Sequence, residues 1–461
     1  MTPAVYALVS ALLVLMLAGI RLMISPRTAA AGNRLGAVAV LAAVAVVLVQ
    51  QNAVSLRVLA LSLVVGTALG LLLALNVTTL RIPQFVALLN GTGGLASLLV
   101  AVVVAYEQPG AAMVDRIACV LAILVGGVTF SGSMVAAGKL EGRIRQQPVT
   151  LPAHSVMSLL LIAVMAGCAV AFALTHGPVR EWIGLGAAAV SLVFGVVFAI
   201  RIGGADMPIT ISLLNSYSGL AVAVCGFAIR DILLIASGGI VGAAGLWLTR
   251  IMCRAMNRSL MDILTGRTAY AAGPKAAPAQ PAGPPAPAKA ADDSARVVEL
   301  LRSAKRVIVV PGYGMALAQA QQQVKKLYDT LCARGADVVF AIHPVAGRMP
   351  GHMNVLLAEV DIPYEKLREL DDINPQFAQT DLVLVIGACD VVNEAAITAK
   401  GTPIYGMPVL HAHEAKAVVI CNLDTRPGYS GVPNPLYARP NVTLLLGNAA
   451  KTLERLLALA G

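Results

Sequence analysis

The chain has 461 residues, of which 58% are hydrophobic and only 13% are charged. Soluble domains usually carry about a quarter charged residues, so this composition excludes a wholly soluble protein. The net charge of +10 would fit nucleic-acid binding, but only 4% of the residues are aromatic and the sequence contains no basic stripe interleaved with aromatic residues, which argues against that class. Charged residues are sparse up to about residue 253 and reach ordinary density after residue 292. This distribution predicts a membrane-embedded half followed by a water-exposed half.

Nine apolar segments are long enough to cross a bilayer, for which about 20 residues are needed. They lie near residues 4–24, 35–50, 56–78, 85–106, 117–137, 154–175, 182–200, 208–229 and 232–253. The first has no basic stretch before it, so we expect it to remain as a span and not to be cleaved as a signal peptide. Glycine and alanine are abundant in these segments, which predicts a packed helical bundle.

The basic residues of the connecting loops predict the orientation of the membrane half. Loops on the C-terminal side carry ten such residues: Arg21, Arg27, Arg34, Arg81, Lys139, Arg143, Arg145, Arg201, Arg254 and Arg258. Loops on the opposite side carry four: Arg57, Arg116, Arg180 and Arg230. Because cytoplasmic loops are enriched in Lys and Arg, the C-terminal half is predicted to face the cytoplasm or an equivalent matrix.

Few polar residues occur at membrane depth. Asn90 and Asn215 lie within predicted spans, and Asp206 lies at the entrance of the eighth span, before Met207 and Pro208. Polar groups in lipid are costly, so they normally face a bundle interior or a water path. For Asn90 and Asn215, interhelical hydrogen bonding alone and a role in proton movement are equally open interpretations. Asp206 fits a helix N-cap before an early helical proline, which does not exclude a second role.

Three segments are predicted along the chain: a transmembrane domain over 1–260, an Ala/Pro-rich linker over 261–294 and an α/β domain over 295–461. The linker has too little apolar mass to fold and is expected to be a semi-extended tether.

In the last domain, runs of Val, Ile and Leu alternate with helical segments, which is typical of a doubly wound parallel sheet of the Rossmann type. Strands are predicted at 307–310, 338–342, 382–386, 407–410, 418–421 and 442–446, and a helix at 316–334 with Gly335 as its C-cap.

A glycine-rich turn follows the first predicted strand. Its residues are Gly312, Tyr313, Gly314, Met315 and Ala316, with Leu317 where a dinucleotide-binding motif has its third glycine. Gly312 would permit the tight turn, and Gly314 would let a pyrophosphate approach backbone N–H groups at a helix N-terminus. Because the third glycine is missing, a tight turn without a ligand stays open as the alternative.

Two further loops are candidates for binding a nucleotide, since ligands of such sheets lie at the C-terminal ends of strands. The loop after the second strand contains Val345, Ala346, Gly347 and Arg348, and the loop after the third contains Gly387, Ala388 and Asp390. The first loop has an arginine, which suits a phosphate, where an acidic residue usually binds the adenosine ribose. No metal site is predicted, because the seven cysteines form no C-x-x-C pair and the histidines make no compact ligand set.

Several stretches together resemble the proton-translocating transhydrogenases, and those in the water-exposed half resemble the NADP(H)-binding domain of that family. In the water-exposed half they are residues 311–316, 343–354, 406–410 and 428–432, and in the membrane half they are residues 203–208, 215–219 and 255–259. The resemblance covers nearly the whole chain apart from the linker, and it is to the beta subunit of that family.

The resemblance implies a Re/Si-specific, proton-translocating NAD(P)+ transhydrogenase of the bacterial inner membrane. It implies direct hydride transfer between NADP(H), bound by this chain, and NAD(H), bound by a partner alpha subunit, without which this chain is inactive, in a dimer of alpha–beta units. Such transfer needs no nucleophile or metal ion, so no catalytic residue is predicted. The resemblance adds further cofactor-binding residues, namely Asn422, Asp424, Arg426, Gly428 and Tyr429, and it assigns a proton path to Asn90, Asp206 and Asn215.

Two positions depart from the pattern of that family. Many members carry a histidine at the position of Asn90, which cannot titrate, so we expect a membrane histidine in the alpha partner. Members usually carry a Lys-Arg-Ser run that binds the 2′-phosphate, where this chain has Asn422, Leu423 and Asp424. An aspartate repels a phosphate and suits a ribose diol. NADP(H) is therefore predicted with Arg348 and Arg426 as phosphate partners, and NAD(H) stays open as the alternative.

Two other functional classes remain as alternatives. A membrane transporter with a regulatory nucleotide-binding domain would need a site at mid-membrane, typically within an inverted repeat, and the sequence shows no such repeat. A membrane-tethered reductase that uses a quinone or a flavin would need a second cofactor site. A neighbouring reading frame that encodes an NAD(H)-binding alpha subunit would favour the transhydrogenase.

Overall fold

The computed structural model describes residues 3–51, 56–77, 81–107, 112–145, 148–203, 206–256, 259–265, 293–347, 351–402, 404–428 and 430–460. The chain divides into two compact units, the first of which consists of Met1–Arg145, Val149–Arg201 and Ile211–Trp247. The second consists of Gln146–Pro148, Ile202–Thr210 and Leu248–Gly461. The domain limits 1–260, 261–294 and 295–461 stay predictions, and most of the predicted linker lies outside the described residues.

Among the described residues, nine helices are long and apolar enough to cross a membrane. They are α1 Pro3–Met23, α2 Pro26–Gln51, α3 Leu56–Asn76, α4 Ile82–Glu107, α5 Met113–Glu141, α6 His154–Leu174, α7 Pro178–Ile200, α8 Met207–Ile229 and α9 Ile232–Ala255. The predicted polytopic helical fold is confirmed. Helix α2 begins well before the predicted segment 35–50, because Pro26 and the alanines after it favour a helix start while Arg27 and Arg34 lower the local hydropathy.

The spans differ widely in how much of each is buried within the first unit. Helix α5 is the most buried, with 72% of its residues enclosed, whereas no residue of α3 over Arg57–Asn76 is buried. Helices α4 and α5 touch through their backbones, since a Cβ added to Gly94 would lie 2.8 Å from the carbonyl oxygen of Gly126. Small residues permit this close approach in a membrane bundle. The first unit is therefore organised around α5.

The second unit contains a six-stranded parallel sheet in the order β3-β2-β1-β4-β5-β6, and the predicted Rossmann-like fold is confirmed. The strands are β1 Arg306–Pro311, β2 Asp337–Ile342, β3 Leu367–Glu369, β4 Leu382–Ile386, β5 Ala417–Asn422 and β6 Val442–Leu446. The helices are α10 Leu260–Thr265, α11 Asp293–Ser303, α12 Tyr313–Leu317, α13 Gln321–Ala333, α14 His352–Glu359, α15 Leu370–Ile373, α16 Ala395–Thr398 and α17 Ala449–Ala460. Because β4 is buried along its whole length, it reads as a continuous apolar run.

The predicted strand at 407–410 is wrong, because this segment is not part of the sheet. The sixth strand is β3, which lies at the edge of the sheet next to β2. Pro408 has no N–H to give to a strand ladder. The backbone of this segment is bonded elsewhere: the Asn374 amide donates to the Val409 carbonyl at 3.0 Å, and the Leu410 N–H donates to the Val391 carbonyl at 2.9 Å. Strand β3 has only one apolar residue, Leu367, so its apolar pattern was too short to predict it.

The predicted helix at 316–334 is divided into α12 and α13. At the end of α12, Gln319 has a left-handed φ of 51°, its N–H donates to the Ala316 carbonyl, and the Ala320 N–H donates to the Met315 carbonyl. These bonds form a Schellman motif without the usual glycine. The end of α13 was predicted correctly, because Gly335, at φ 85°, closes it with the same pair of bonds.

Replacing Gln319 with glycine should stabilise the protein by about 0.5–1 kcal/mol, because a side chain in the left-handed region carries a steric cost that glycine avoids. Chemical denaturation of the full chain in detergent, followed by proteolysis within residues 293–460, measures the change. The Gly335→Gln variant is the matched control and should lose stability by a similar amount. Equal stability of Gln319→Gly and wild type would contradict the prediction.

Candidate functional site

The candidate site lies where the chain reverses its direction through the sheet. From β1 the strand order runs to β2 and β3 on one side, and from β4 it runs to β5 and β6 on the other. Doubly wound sheets bind their ligands in a crevice at this point, at the C-terminal ends of the strands, so the loops that follow β1 and β4 are the expected walls of the site. The predicted glycine-rich turn and the loop that begins at Gly387 are these two loops.

The two crevice loops pack against each other through glycine backbones. The Gly314 N–H donates to the Gly387 carbonyl at 2.8 Å. A Cβ added to Gly312 would lie 2.3 Å from the oxygen of that carbonyl, and Gly387 itself has a left-handed φ of 67°. The glycines therefore serve the contact between the loops. Met315 and Ala316, which follow in α12, are buried beneath the turn.

A buried histidine fixes the loop after β2. The His343 ring accepts the Val345 N–H at Nδ1, 3.2 Å away, so its Nε2–H donates to the Pro408 carbonyl at 2.8 Å. Burial lowers the pKa of His343 to about 4, which keeps the ring neutral. The sequence analysis considered the histidines only as metal ligands, and the pairing of His343 with a proline 65 residues away could not be predicted from the sequence.

The same loop is joined to the glycine-rich turn through His352. This residue is fully buried at the start of α14, and its ring lies 6.4 Å from the ring of Tyr313. Gly347, at φ 106°, passes so close to His352 that a Cβ on the glycine would lie 2.5 Å from Nδ1. Ala346 is buried next to it. Arg348 lies outside the described residues.

The loop after β4 is tied to a distant loop by Asp390. Its carboxylate accepts the Ser430 N–H at 3.0 Å and the Ser430 hydroxyl at 2.6 Å. The Cα of Gly428 lies against this carboxylate, since a Cβ added there would be 2.7 Å from Oδ2. Two predicted residues from distant loops, Asp390 and Gly428, are therefore brought together. Tyr429 lies outside the described residues.

Three asparagine side chains form further hydrogen bonds between these loops. Only one of the three, Asn422, was among the residues predicted from the sequence. The Asn422 amide donates to the Ala388 carbonyl at 2.8 Å and lies 3.1 Å from the Tyr437 hydroxyl oxygen. Asn393 donates to the Val432 carbonyl at 3.2 Å, and Asn434 donates to the Cys389 carbonyl at 3.1 Å. Asn434 could have been noticed from the sequence as a turn residue, because it directly precedes Pro435. In the structure its side chain accepts the Leu436 N–H at the start of that turn.

An ion pair lies just beyond the end of β5. The Asp424 carboxylate accepts the Arg426 N–H at 2.9 Å and the Arg426 Nε–H at 2.7 Å. These bonds from Arg426 lower the pKa of Asp424, so the carboxylate is charged at neutral pH. Of the two predicted phosphate partners, the one that the structure describes is thus already bonded to an acid.

The three predicted residues of the proton path have different environments. Asn90 is buried in α4, and its amide donates to the Ile211 carbonyl at 3.4 Å. Asn215 is half-buried in α8. Asp206 is buried and belongs to the second unit. Lys139, which the sequence analysis counted as a basic loop residue, is instead fully buried at the end of α5 and donates from Nζ to the Ile200 carbonyl at 2.5 Å.

Comparison with known proteins identifies the family. The family model described as NAD(P) transhydrogenase beta subunit matches residues 4–459. The chain belongs to this family. Two curated relatives, both named NAD(P) transhydrogenase subunit beta and both from Rhodospirillum rubrum, one of them from a specified strain, are 39% identical over 466 residues. The alignments cover 99% of this chain and 98% of each relative.

Membership of the transhydrogenase beta family implies a nicotinamide nucleotide and an alpha subunit as partner. The crevice between β1 and β4 fits a dinucleotide in its position, and its loops are held in place by the side chains of Asp390, Asn422 and Asn434. This family assignment, together with the nine apolar helices, makes the chain a multi-pass membrane oxidoreductase subunit.

Proposed function

We propose that this transhydrogenase beta subunit binds NADP(H) at the crevice between β1 and β4 and couples hydride exchange with NAD(H) to proton translocation. The observation that carries the proposal is that a single chain, matched by the family from residue 4 to 459, combines nine helices that are apolar enough to cross a membrane, counted over the described residues, with a sheet in Rossmann order. The sheet that the structure describes accounts for one nucleotide. The second nucleotide, NAD(H), is assigned to an alpha subunit, in a Re/Si-specific reaction that this chain does not complete alone.

The proposed cofactor residues fall into two groups by the state of their side chains. The side chains of Asp390 and Asn422 are already bonded to neighbouring loops, so their role is to position those loops. The other group is proposed to face the nucleotide through backbone or side-chain atoms: Gly312, Tyr313, Gly314, Met315, Ala316, Val345, Ala346, Gly347, Arg348, Gly387, Ala388, Asp424, Arg426, Gly428 and Tyr429. When bound, the nicotinamide ring supplies or accepts the hydride. The chain orients that ring and excludes water from it.

Proton coupling is assigned to the polar residues at membrane depth. Of Asn90, Asn215 and Asp206, only the aspartate can titrate, so it is the proposed proton-binding group of this chain. By linkage, a nucleotide that binds one protonation state more tightly must change the proton affinity by the same factor. The proposed setting is a dimer of alpha–beta units in the bacterial inner membrane. The excess of basic residues in the loops on the C-terminal side supports a cytoplasmic C-terminal domain in this proposal.

Reconstitution tests the proposal directly. The full chain is placed in vesicles with its alpha partner, and reduction of an NADP+ analogue by NADH is followed together with the internal pH. Hydride transfer accompanied by a pH change is expected. Hydride transfer at constant pH would remove the pump, and nucleotide-controlled movement of another solute without hydride transfer would favour the transporter alternative.

Replacing Arg348 with alanine should weaken NADPH binding about tenfold or more and NADH binding less than about twofold, if this arginine pairs with the 2′-phosphate. Titration of the full chain in detergent with each nucleotide gives both affinities. The Arg334→Ala variant, at the end of α13, serves as the control and should leave both affinities unchanged. Equal losses for the two nucleotides in Arg348→Ala would show that this arginine does not read the phosphate.

A further inference from the structure

A cavity of about 270 Å³ lies between helices α4, α5, α6 and α7 of the first unit. Its floor is apolar and enclosed, because Ala105, Ile123 and Phe172 are buried there. Its rim includes two large aromatic side chains, Tyr106 and Trp182, which are 67% and 74% exposed. The cavity is therefore an apolar groove with exposed aromatic residues at its edge.

A buried arginine gives this groove a fixed shape. Arg180 is 2% exposed, its Nη2 atom donates to the Ala105 carbonyl at 2.8 Å, and its guanidinium lies 5.6 Å from the centre of the Phe172 ring. Helix α7 also passes close to that ring, since a Cβ added to Gly184 would lie 3.1 Å from its Cε2 atom. These contacts join α4, α6 and α7, so the groove is present without a ligand.

The groove lies near the ends of the apolar helices. Its residues in α4 begin five positions before Glu107, where that helix ends, and its residues in α7 begin three positions after Pro178, where that helix starts. Tryptophan and tyrosine are enriched where a membrane meets water, because their side chains combine an apolar ring with a polar group. The groove is therefore at the level where lipid headgroups meet hydrocarbon.

The lining of the groove is too short for a partner helix. It includes residues 102–106 of α4 and 181–185 of α7, which extend about 6 Å along each helix axis. A transmembrane helix about 30 Å long packs along several turns of its neighbour, with small residues at the contact. The rim of the groove instead carries the bulky side chains of Tyr106 and Trp182. The occupant that fits is a flexible acyl chain.

Charged side chains lie at the same end of these helices. Glu181 lines the groove, is half-buried and forms no ion pair with any residue that the structure describes, and Glu107 is exposed at the end of α4. Arg116 lies about two helical turns before Ile123 on one face of α5. Its Nη1 atom donates to Nε2 of His176 at 3.0 Å, and it too has no carboxylate partner in the described part of the chain. One cation and two carboxylates suit a headgroup that carries both a phosphate and an ammonium group.

We propose that this groove binds one phosphatidylethanolamine molecule of the surrounding membrane. One acyl chain occupies the apolar floor, Arg116 binds the headgroup phosphate, and Glu181 accepts hydrogen bonds from the primary ammonium group. A choline headgroup has a cation without an N–H to donate, and a glycerol headgroup has no cation. The ethanolamine headgroup is therefore preferred over both. This inference is independent of the proposed nucleotide site.

The position of Trp182 at the rim allows a direct test by fluorescence. The chain has two tryptophans, so Trp247→Phe leaves Trp182 as the sole one. The full chain with this change is placed in phosphatidylcholine vesicles that contain a small fraction of brominated lipid, whose bromine atoms quench nearby tryptophan fluorescence. Brominated phosphatidylethanolamine should quench Trp182 at about fivefold lower mole fraction than brominated phosphatidylcholine or phosphatidylglycerol.

Variants in the same background test the proposed contacts. Arg116→Gln and Glu181→Gln should each remove most of the fivefold preference, because each removes one charged partner of the headgroup. Val102→Phe, which fills part of the groove, should also remove it. The matched controls are Arg57→Gln, at an exposed arginine near the start of α3, and Val103→Phe, at a 51% exposed position beside the lining residue. Both controls should keep the preference.

Equal quenching by the three lipids would overturn the inference, and so would stronger quenching by phosphatidylglycerol. A preference that survives both Arg116→Gln and Val102→Phe would show that the lipid binds elsewhere. Loss of quenching by every lipid when the alpha subunit is added would show that a protein segment covers the groove, which would also overturn the inference. Thermal unfolding in the same vesicles reports whether each variant keeps its fold. Glu181→Gln breaks no ion pair within the described residues, so it remains a valid test if another variant unfolds.

Discussion

Replacing Gly387 with alanine should destabilise the α/β fold by about 3 kcal/mol or more, the largest effect that we expect from a single methyl group. Its φ of 67° is a region that alanine enters only at a cost. The added Cβ would also lie 2.1 Å from the Met315 backbone nitrogen and 2.4 Å from the Gly314 carbonyl carbon. Both are backbone atoms, so no side-chain rotation can relieve the contact. The loops that follow β1 and β4 must move apart, or the domain must unfold.

A second glycine separates the two causes of this loss. Gly401 has a similar φ of 86°, but a Cβ added there would meet nothing within 4 Å. Gly401→Ala should therefore lose only about 1 kcal/mol, from backbone conformation alone. Denaturation of the full chain in detergent, with proteolysis within residues 293–460 as the probe, measures both variants. Equal losses would mean that the close contact between the crevice loops contributes nothing.

Acidification should destabilise the α/β fold through His343, by about 3 kcal/mol between neutral pH and pH 4. The pKa of this ring falls from an ordinary 6.5 to about 4, because burial penalises its charged form. Between pH 6.5 and 4 the unfolded chain therefore binds a proton at His343 that the folded chain does not bind. The contribution of the neutral His343 ring to stability is complete above pH 6.5 and is lost as the pH falls towards 4, at about 1.4 kcal/mol per pH unit.

Removal of the ring isolates its share of the pH dependence, since carboxylates also titrate in the lower part of this range. His343→Gln should lower stability at pH 7.5 by about 2–3 kcal/mol, because the Val345 N–H and the Pro408 carbonyl lose well-placed partners. The difference in stability between variant and wild type should then shrink as the pH is lowered to about 4. The same denaturation series at several pH values measures it, and a constant difference at every pH would rule out His343 as the titrating group.

The membrane half was predictable because one physical quantity, hydropathy over some 20 residues, decides whether a helix can cross a bilayer. The parallel sheet was predictable where strands are buried on both faces, as at β4. The prediction failed where local pattern and tertiary bonding disagree: the segment around Pro408 is apolar, yet Asn374 and His343 satisfy its backbone. The break between α12 and α13 was missed because Gln319 adopts a conformation that its side chain disfavours.

The positions of the loops of the candidate site were predictable from the sequence, but the hydrogen bonds between these loops were not. The glycine-rich turn at Gly312 has a sequence signature. No such signature shows that Asp390 accepts hydrogen bonds from Ser430, 40 residues away, or that Asn393 holds the loop at Val432. These contacts join segments that meet only when the sheet has formed. Asp390 and Asn422, which were predicted as cofactor-binding residues, hold these loops in position through such contacts.

Helix α3, none of whose residues between Arg57 and Asn76 is enclosed by the rest of the first unit, has a consequence for biosynthesis. A span without buried residues gains little from packing against the described part of its chain, so its place in the membrane is set mainly by the transfer of its apolar side chains into lipid. Its insertion into the bilayer therefore does not require the helices around α5 to have packed first.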